Sequence, residues 1–156
     1  MRTYRVVNER TSALTGAVIL VVEDDADLRH ILSAILSRAG AEVLQADTAE
    51  KALDKLQRVV PDLVLTDVSL RGGRSGMWLL DEIRLSRPVP VVALTGRLEL
   101  GDLSPLGFAD AIFKPVEPKA LLARLTAVLE RRRRPRRRGP GRKRTAPGRG
   151  ARAPAA

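Results

Sequence analysis

The sequence contains no cysteine among its 156 residues, and aromatic residues make up only 3% of it. The absence of cysteine excludes a disulfide framework, thiolate catalysis and any cysteine-ligated metal site. Long apolar segments are also missing, because the longest apolar stretch, residues 13–22, is interrupted by Thr15 and Gly16. A membrane-spanning helix needs about 20 apolar residues, and residues 1–16 lack the apolar run of a secretory signal. We therefore expect a soluble, cytoplasmic protein without membrane association.

Charge is distributed unevenly along the chain. Twelve of the 28 Lys and Arg residues and none of the 18 acidic residues lie in residues 131–156, which leaves residues 1–130 slightly acidic. A segment rich in Arg, Pro and Gly cannot bury apolar surface, so the sequence predicts a disordered basic tail over residues 131–156. Such a tail can bind nucleic acid nonspecifically. A solvated tail without that role is the alternative.

The body of the chain alternates between two kinds of apolar pattern. Short runs rich in Val, Ile and Leu predict five buried strands, at residues 17–22, 42–46, 61–67, 89–94 and 108–113. Amphipathic segments between and after these runs predict helices, of which residues 97–107 are the weakest because Gly101 and Pro105 oppose a helix. A β-α unit repeated five times predicts a doubly wound, five-stranded parallel sheet over residues 17–130. Residues 1–16 are predicted to be an N-terminal extension.

Polar residues recur where the predicted strands end. They are Glu23, Asp24 and Asp25 after the first strand, Asp67 after the third, Thr95 after the fourth and Lys114 after the fifth. Ligands of open parallel α/β sheets bind outside the carboxyl ends of the strands. Clustered carboxylates repel one another, and a hard divalent cation such as Mg²⁺ offsets that repulsion. Together with a lysine and a hydroxyl, these acids predict a site that handles a phosphoryl group.

Several of these residues also have a purely structural interpretation. Asp25 or Asp27 fits the N-cap of the following helix, and we place Asp25 outside the direct metal ligands. His30, the only histidine, is expected on the surface of the first helix. Trp78 is expected to pack against the core or a partner.

Four motifs carry a resemblance to a known family. The segments VILVVEDD, DLVLTD, ALTG and FKP follow one another in this order. Over residues 17–130 the chain resembles the receiver domain of bacterial two-component response regulators, in its stand-alone, CheY-like form. The resemblance implies a flavodoxin-like domain that takes a phosphoryl group from a histidine kinase or phosphotransfer protein, with Mg²⁺ bound. It also implies a downstream protein partner.

The resemblance assigns the central roles to the acidic residues. Asp67 resembles the phosphoacceptor, a covalent nucleophile that forms an acyl phosphate. Glu23 and Asp24 resemble the acidic pair that holds the metal ion together with Asp67, and the backbone carbonyl of Ser69 would complete its protein ligands. The chain is then no enzyme in the ordinary sense, because it catalyses only its own phosphorylation and dephosphorylation.

The remaining assignments include three departures from the family pattern. Thr95 resembles the hydroxyl that contacts the phosphoryl group, and Lys114 resembles the lysine that pairs with it. Ala111 stands at the usually aromatic switch position, where an alanine has no ring to move. Arg71 replaces a proline that usually follows the acceptor, and the segment 97–107 is shorter than usual. These features leave two alternatives open: an adaptor that phosphorylation does not switch, and a nucleic-acid-binding protein acting through its tail.

Overall fold

The computed structural model describes residues 13–96 and 101–134. Five parallel strands form one sheet in the order β2-β1-β3-β4-β5: β1 (Val18–Val22), β2 (Glu42–Ala46), β3 (Leu63–Asp67), β4 (Val91–Thr95) and β5 (Asp110–Phe113). Four α-helices connect and follow them: α1 (Ala26–Arg38), α2 (Ala49–Leu56), α3 (Gly76–Ser86) and α4 (Pro118–Arg133). This arrangement confirms the predicted doubly wound, flavodoxin-like sheet. Within the described ranges, no helix is both long and apolar enough to cross a membrane.

The helices begin where the sequence supplies a capping side chain. Asp25, Thr48 and Ser75 each accept a hydrogen bond from the backbone N–H three residues later, at 3.0, 3.1 and 3.2 Å. Such caps satisfy N–H groups that have no partner inside the helix. Asp25 is therefore a helix cap, as the sequence predicted. After α1 the chain turns at Gly40, whose φ of 92° favours glycine.

The core lies on both faces of the sheet. Leu32 and Leu36 of α1 pack with Leu125 of α4 on one face, while α2 and α3 cover the other. Leu14 also belongs to the first of these clusters, and its backbone N–H donates to the carbonyl of Ala39 at 2.9 Å. The predicted extension over residues 1–16 is therefore too long, since the packed chain includes Leu14. Residues 1–12 lie outside the described part.

The connection between β4 and β5 departs from the predicted five-fold β-α repeat. Its described part holds a three-residue 3-10 helix, Ser104–Leu106, while residues 97–100 lie outside the description. Gly107, with a φ of 106°, ends this turn. The Arg84 guanidinium on α3 donates to the carbonyl of Leu106 at 3.0 Å. The prediction that residues 97–107 are the least favourable for a helix is confirmed. The predicted five β-α units are corrected to five strands and four α-helices within the described residues.

The last helix extends into the segment predicted to be a tail. α4 runs to Arg133, because arginine is a good helix former and cations suit the C-terminal end of a helix. Arg132 donates from Nη1 to the carbonyl of Asp62 at 2.6 Å. The first residues of the segment 131–156 therefore continue the helix, as their helix propensity favours. Residues 135–156 lie outside the description, so disorder and nucleic-acid binding there stay predictions.

We expect Arg132→Ala to lower the free energy of unfolding by about 1 kcal/mol, because it removes a charged donor that ties α4 to the start of β3. Arg133→Ala is the matched control, since Arg133 is exposed and has no hydrogen bond or ion pair within the described residues. Urea denaturation of both variants measures the difference. Equal urea denaturation midpoints for the two variants would show that the Arg132 side chain does not stabilise the fold.

Candidate phosphoryl and cation site

Asp67 is the last residue of the central strand β3, and only 6% of it is exposed. Its Oδ1 accepts a hydrogen bond from the backbone N–H of Ser69 at 2.8 Å. Its Oδ2 accepts one from Nζ of Lys114 at 2.7 Å. Both carboxylate oxygens are thus held in place at the carboxyl edge of the sheet.

Glu23 and Asp24 follow β1, the strand next to β3, and lie beside Asp67. One carboxylate oxygen from each of the three acids lies within 4.8 Å of the others. Glu23 is 1% exposed, and its Oε1 accepts from the backbone N–H of Asp25 at 3.1 Å. Its Oε2 lies 3.0 Å from Nζ of Lys114, yet it accepts no hydrogen bond of good geometry from the described residues. The structure therefore brings the predicted acids and lysine together.

The electrostatics of the cluster follow from burial and from these contacts. Burial raises the pKa of Glu23, and the charge of Asp67 adds a smaller increase; the contacts with Lys114 and with the backbone N–H of Asp25 lower the pKa but do not offset these effects. Burial lowers the pKa of Lys114, but its hydrogen bond to Asp67 and its ion pair with Glu23 outweigh that effect and leave the pKa raised. Burial acts to raise the pKa of Asp24, but the neighbouring Glu23 side chain, the hydrogen bond from the Arg71 backbone N–H and the Arg71 charge outweigh it and leave the pKa lowered. The cluster holds one firmly charged lysine against three carboxyl groups.

This donor set fits a hard divalent cation. Three carboxylates converge, and the buried Oε2 of Glu23 has a lone pair that no hydrogen bond from the described residues uses. Oxygen ligands of this kind suit Mg²⁺. The cluster of Glu23, Asp24 and Asp67 can therefore hold a metal ion, and the role of the Ser69 carbonyl stays a prediction.

The acids open into a pocket of about 450 Å³ at the carboxyl edge of the sheet. Its lining comprises Glu23, Asp24, Asp25, Leu28, Asp67, Ser69, Arg71, Gly96 and Lys114. Thr95 is buried at the end of β4, and its carbonyl accepts from the Lys114 backbone N–H at 2.8 Å. This hydrogen bond fixes the chain at Lys114, so that its side chain reaches Asp67.

The structure places the other predicted residues away from the acids. Ala111 lies partly buried in β5, paired with Ala93 of β4. His30 is exposed on α1. Trp78 is half-buried against the core, as predicted, and the Arg74 guanidinium lies 5.4 Å from the centre of its ring.

Two residues next to the site make close contacts that the sequence did not reveal. Gly76 begins α3, and a Cβ atom there would overlap the backbone carbonyl of Asp67. Arg71 contacts Asp24 through both its backbone and its side chain. A serine and a glycine before an amphipathic segment signal a helix start, but nothing local signals either contact.

Fold and site together define a doubly wound α/β domain with a cluster of three acids, able to hold a cation, and a lysine at the carboxyl edge of its sheet. Among known families, the response regulator receiver domain matches residues 19–126. The chain belongs to this receiver-domain family.

Sequence relatives include longer proteins. The phosphate regulon transcriptional regulatory protein PhoB of Escherichia coli K12 is 38% identical over 119 residues, which are 72% of this chain and 52% of PhoB. The probable transcriptional regulator ycf27 of Guillardia theta is 37% identical over 123 residues, which are 75% of this chain and 47% of ycf27. The chain thus spans about half the length of the curated relatives it matches.

Solved structures of shorter response regulators, which this chain covers almost completely, share the fold. The chemotaxis response regulator CheY4 of Vibrio cholerae superposes with a TM-score of 0.67 at 28% identity, covering 72% of this chain and 98% of CheY4. A response regulator from Chloroflexus aurantiacus gives a TM-score of 0.65 at 31% identity, covering 73% of this chain and 98% of that one. These neighbours agree with the family assignment.

Proposed function

We propose that the chain is the phosphoacceptor of a two-component phosphorelay, in which Asp67 receives a phosphoryl group from a phosphohistidine. The donor is a histidine kinase or a phosphotransfer protein. One observation carries the proposal: a buried aspartate at a central strand end, with both oxygens held, lies beside two further acids and a charged lysine. Family membership agrees with this assignment.

The chemistry is a transfer between two covalent carriers. An oxygen of the Asp67 carboxylate attacks phosphorus, the phosphorus–nitrogen bond of the donor breaks, and the electron pair leaves with the imidazole. Lys114, 2.7 Å from Asp67 Oδ2, balances negative charge on the phosphoryl oxygens. Mg²⁺, held by Glu23, Asp24 and Asp67, supplies further charge neutralisation when bound. The chain acts on itself alone, and we propose no separate substrate.

The output of this transfer is proposed to be a protein contact. PhoB and ycf27 are described as transcriptional regulators, and this chain matches about half of each. Asp67 and the residues around it lie within residues 19–126, which match the receiver-domain family. We propose that phosphorylation at Asp67 alters how a downstream protein binds the receiver domain.

Chemical mapping tests the proposal. The full chain is incubated with acetyl phosphate and Mg²⁺, and the acyl phosphate is then reduced with borohydride, which marks the modified carboxyl group for peptide mass spectrometry. We expect one marked residue, Asp67, and much slower marking when EDTA removes the cation. Marking at other carboxyl groups, or none in the presence of Mg²⁺, would contradict the proposal.

A second candidate is an adaptor that binds its partner irrespective of phosphorylation. The observation that favours it is Ala111, a small side chain in β5 beside a connection whose described part holds only a 3-10 turn. Amide NMR spectra distinguish the two functions. Shifts confined to the pocket after addition of beryllofluoride, a phosphoryl mimic, support the adaptor; shifts that reach β5 support a switch.

A further inference from the structure

Arg71 places a positive charge at the wall of the pocket. It lies in the loop after β3, and its backbone N–H donates to Oδ2 of Asp24 at 3.3 Å. The guanidinium approaches the same oxygen, with Nε at 3.5 Å. The Arg71 side chain is 89% exposed, whereas that of Asp24 is 19% exposed. An exposed guanidinium is thus paired with a mostly buried carboxylate of the acidic cluster.

We propose that Arg71 competes with the divalent cation for Asp24 and thereby sets both the affinity of the site and its dependence on salt. The inference rests on the cation site of the proposed function. Arg71 has no part in the phosphoryl transfer proposed above, so this role is additional to it.

The physical basis is repulsion between like charges. A guanidinium is charged at every accessible pH, so the divalent cation enters beside it or displaces it from Asp24. Exposed ion pairs are worth about 0.2–1 kcal/mol, which corresponds to a change of about 1.4- to fivefold in cation affinity. Salt screens exposed charges over about 10 Å at 0.1 M, so the effect should shrink as ionic strength rises.

The loop itself has a second anchor that does not involve the Arg71 side chain. The backbone N–H of Arg74 donates to Oε1 of Glu50, the first-turn acid of α2, at 3.0 Å. Gly73 packs against the same Glu50 carboxylate. The variant Arg71→Gln keeps the backbone N–H that bonds Asp24 and leaves the Glu50 anchor intact. It therefore removes the charge without releasing the loop.

The matched control is Arg74→Gln. Arg74 belongs to the same loop and carries the same charge, but its guanidinium lies over the Trp78 ring and not on Asp24. Mn²⁺ serves as the probe, because the electron paramagnetic resonance signal of the free ion reports the bound fraction directly. Full-length wild type and both variants are titrated at low and at high ionic strength.

We expect Arg71→Gln to bind Mn²⁺ about 1.4- to fivefold more tightly than wild type at low salt. The difference should vanish at high salt, and Arg74→Gln should stay close to wild type. Equal affinities for all three proteins would overturn the inference and leave the proposed cation site standing. Equal tightening in both variants, or weaker binding by Arg71→Gln, would also overturn it. Failure of all three to bind Mn²⁺ would remove the proposed cation site and this inference with it.

Discussion

Asp67→Asn is expected to abolish phosphoryl incorporation from acetyl phosphate, because an amide lacks the charged oxygen that attacks phosphorus. The change is nearly isosteric, and the amide oxygen can still accept the Ser69 N–H that Oδ1 now accepts. The ion pair with Lys114 is lost, but repulsion among the three acids is relieved at the same time. The fold should therefore survive while the chemistry disappears.

Asp54→Asn is the matched control for this result. Asp54 is an exposed acid on α2, away from the residues that line the pocket. Its variant should incorporate phosphate like wild type, as measured by intact-protein mass spectrometry. Incorporation that persists in Asp67→Asn would show that another residue is the acceptor, and the proposed function would fail.

Gly76→Ala is expected to cost about 3 kcal/mol of folding free energy, at the upper end of the range for overpacking. The added Cβ would overlap the carbonyl oxygen of Asp67 and approach the backbone of Val68. Backbone atoms cannot move aside by changing rotamer, so α3 or the end of β3 must shift. Since Asp67 ends β3, we also expect slower phosphorylation of the folded variant.

Gly96→Ala tests whether this effect is specific. Gly96 also lines the pocket, but a Cβ there would have no atom within 4 Å among the described residues. Its free energy of unfolding should stay within about 0.5 kcal/mol of wild type. Urea denaturation with phosphorylation kinetics measures both properties. Similar losses in the two variants would mean that close packing at Gly76 is not the cause.

Much of the site was predictable because strand ends are local features. Apolar runs of fixed length define each strand, and parallel pairing brings their carboxyl ends to one edge, so Asp67 and Lys114 meet although 47 residues separate them. The contact between Arg71 and Asp24 spans the same separation but depends on the path of an irregular loop. No periodicity encodes such a path.

The errors in the fold have equally particular causes. Leu14 is a single core residue in a segment that shows no periodicity. Its place in the core follows from its packing with α1, which the local sequence does not indicate. Gly76 was missed because a close approach between backbones is a property of tertiary packing.

Lys114 links the edge of the sheet to its central strand. Its backbone is bonded to β4 through the Thr95 carbonyl, while its ammonium reaches Asp67 at the end of β3 and Glu23 beyond β1. It directly follows β5, the edge strand. A change of charge at Asp67 would therefore alter a contact that joins the centre of the sheet to its edge, and Ala111 takes no part in that contact.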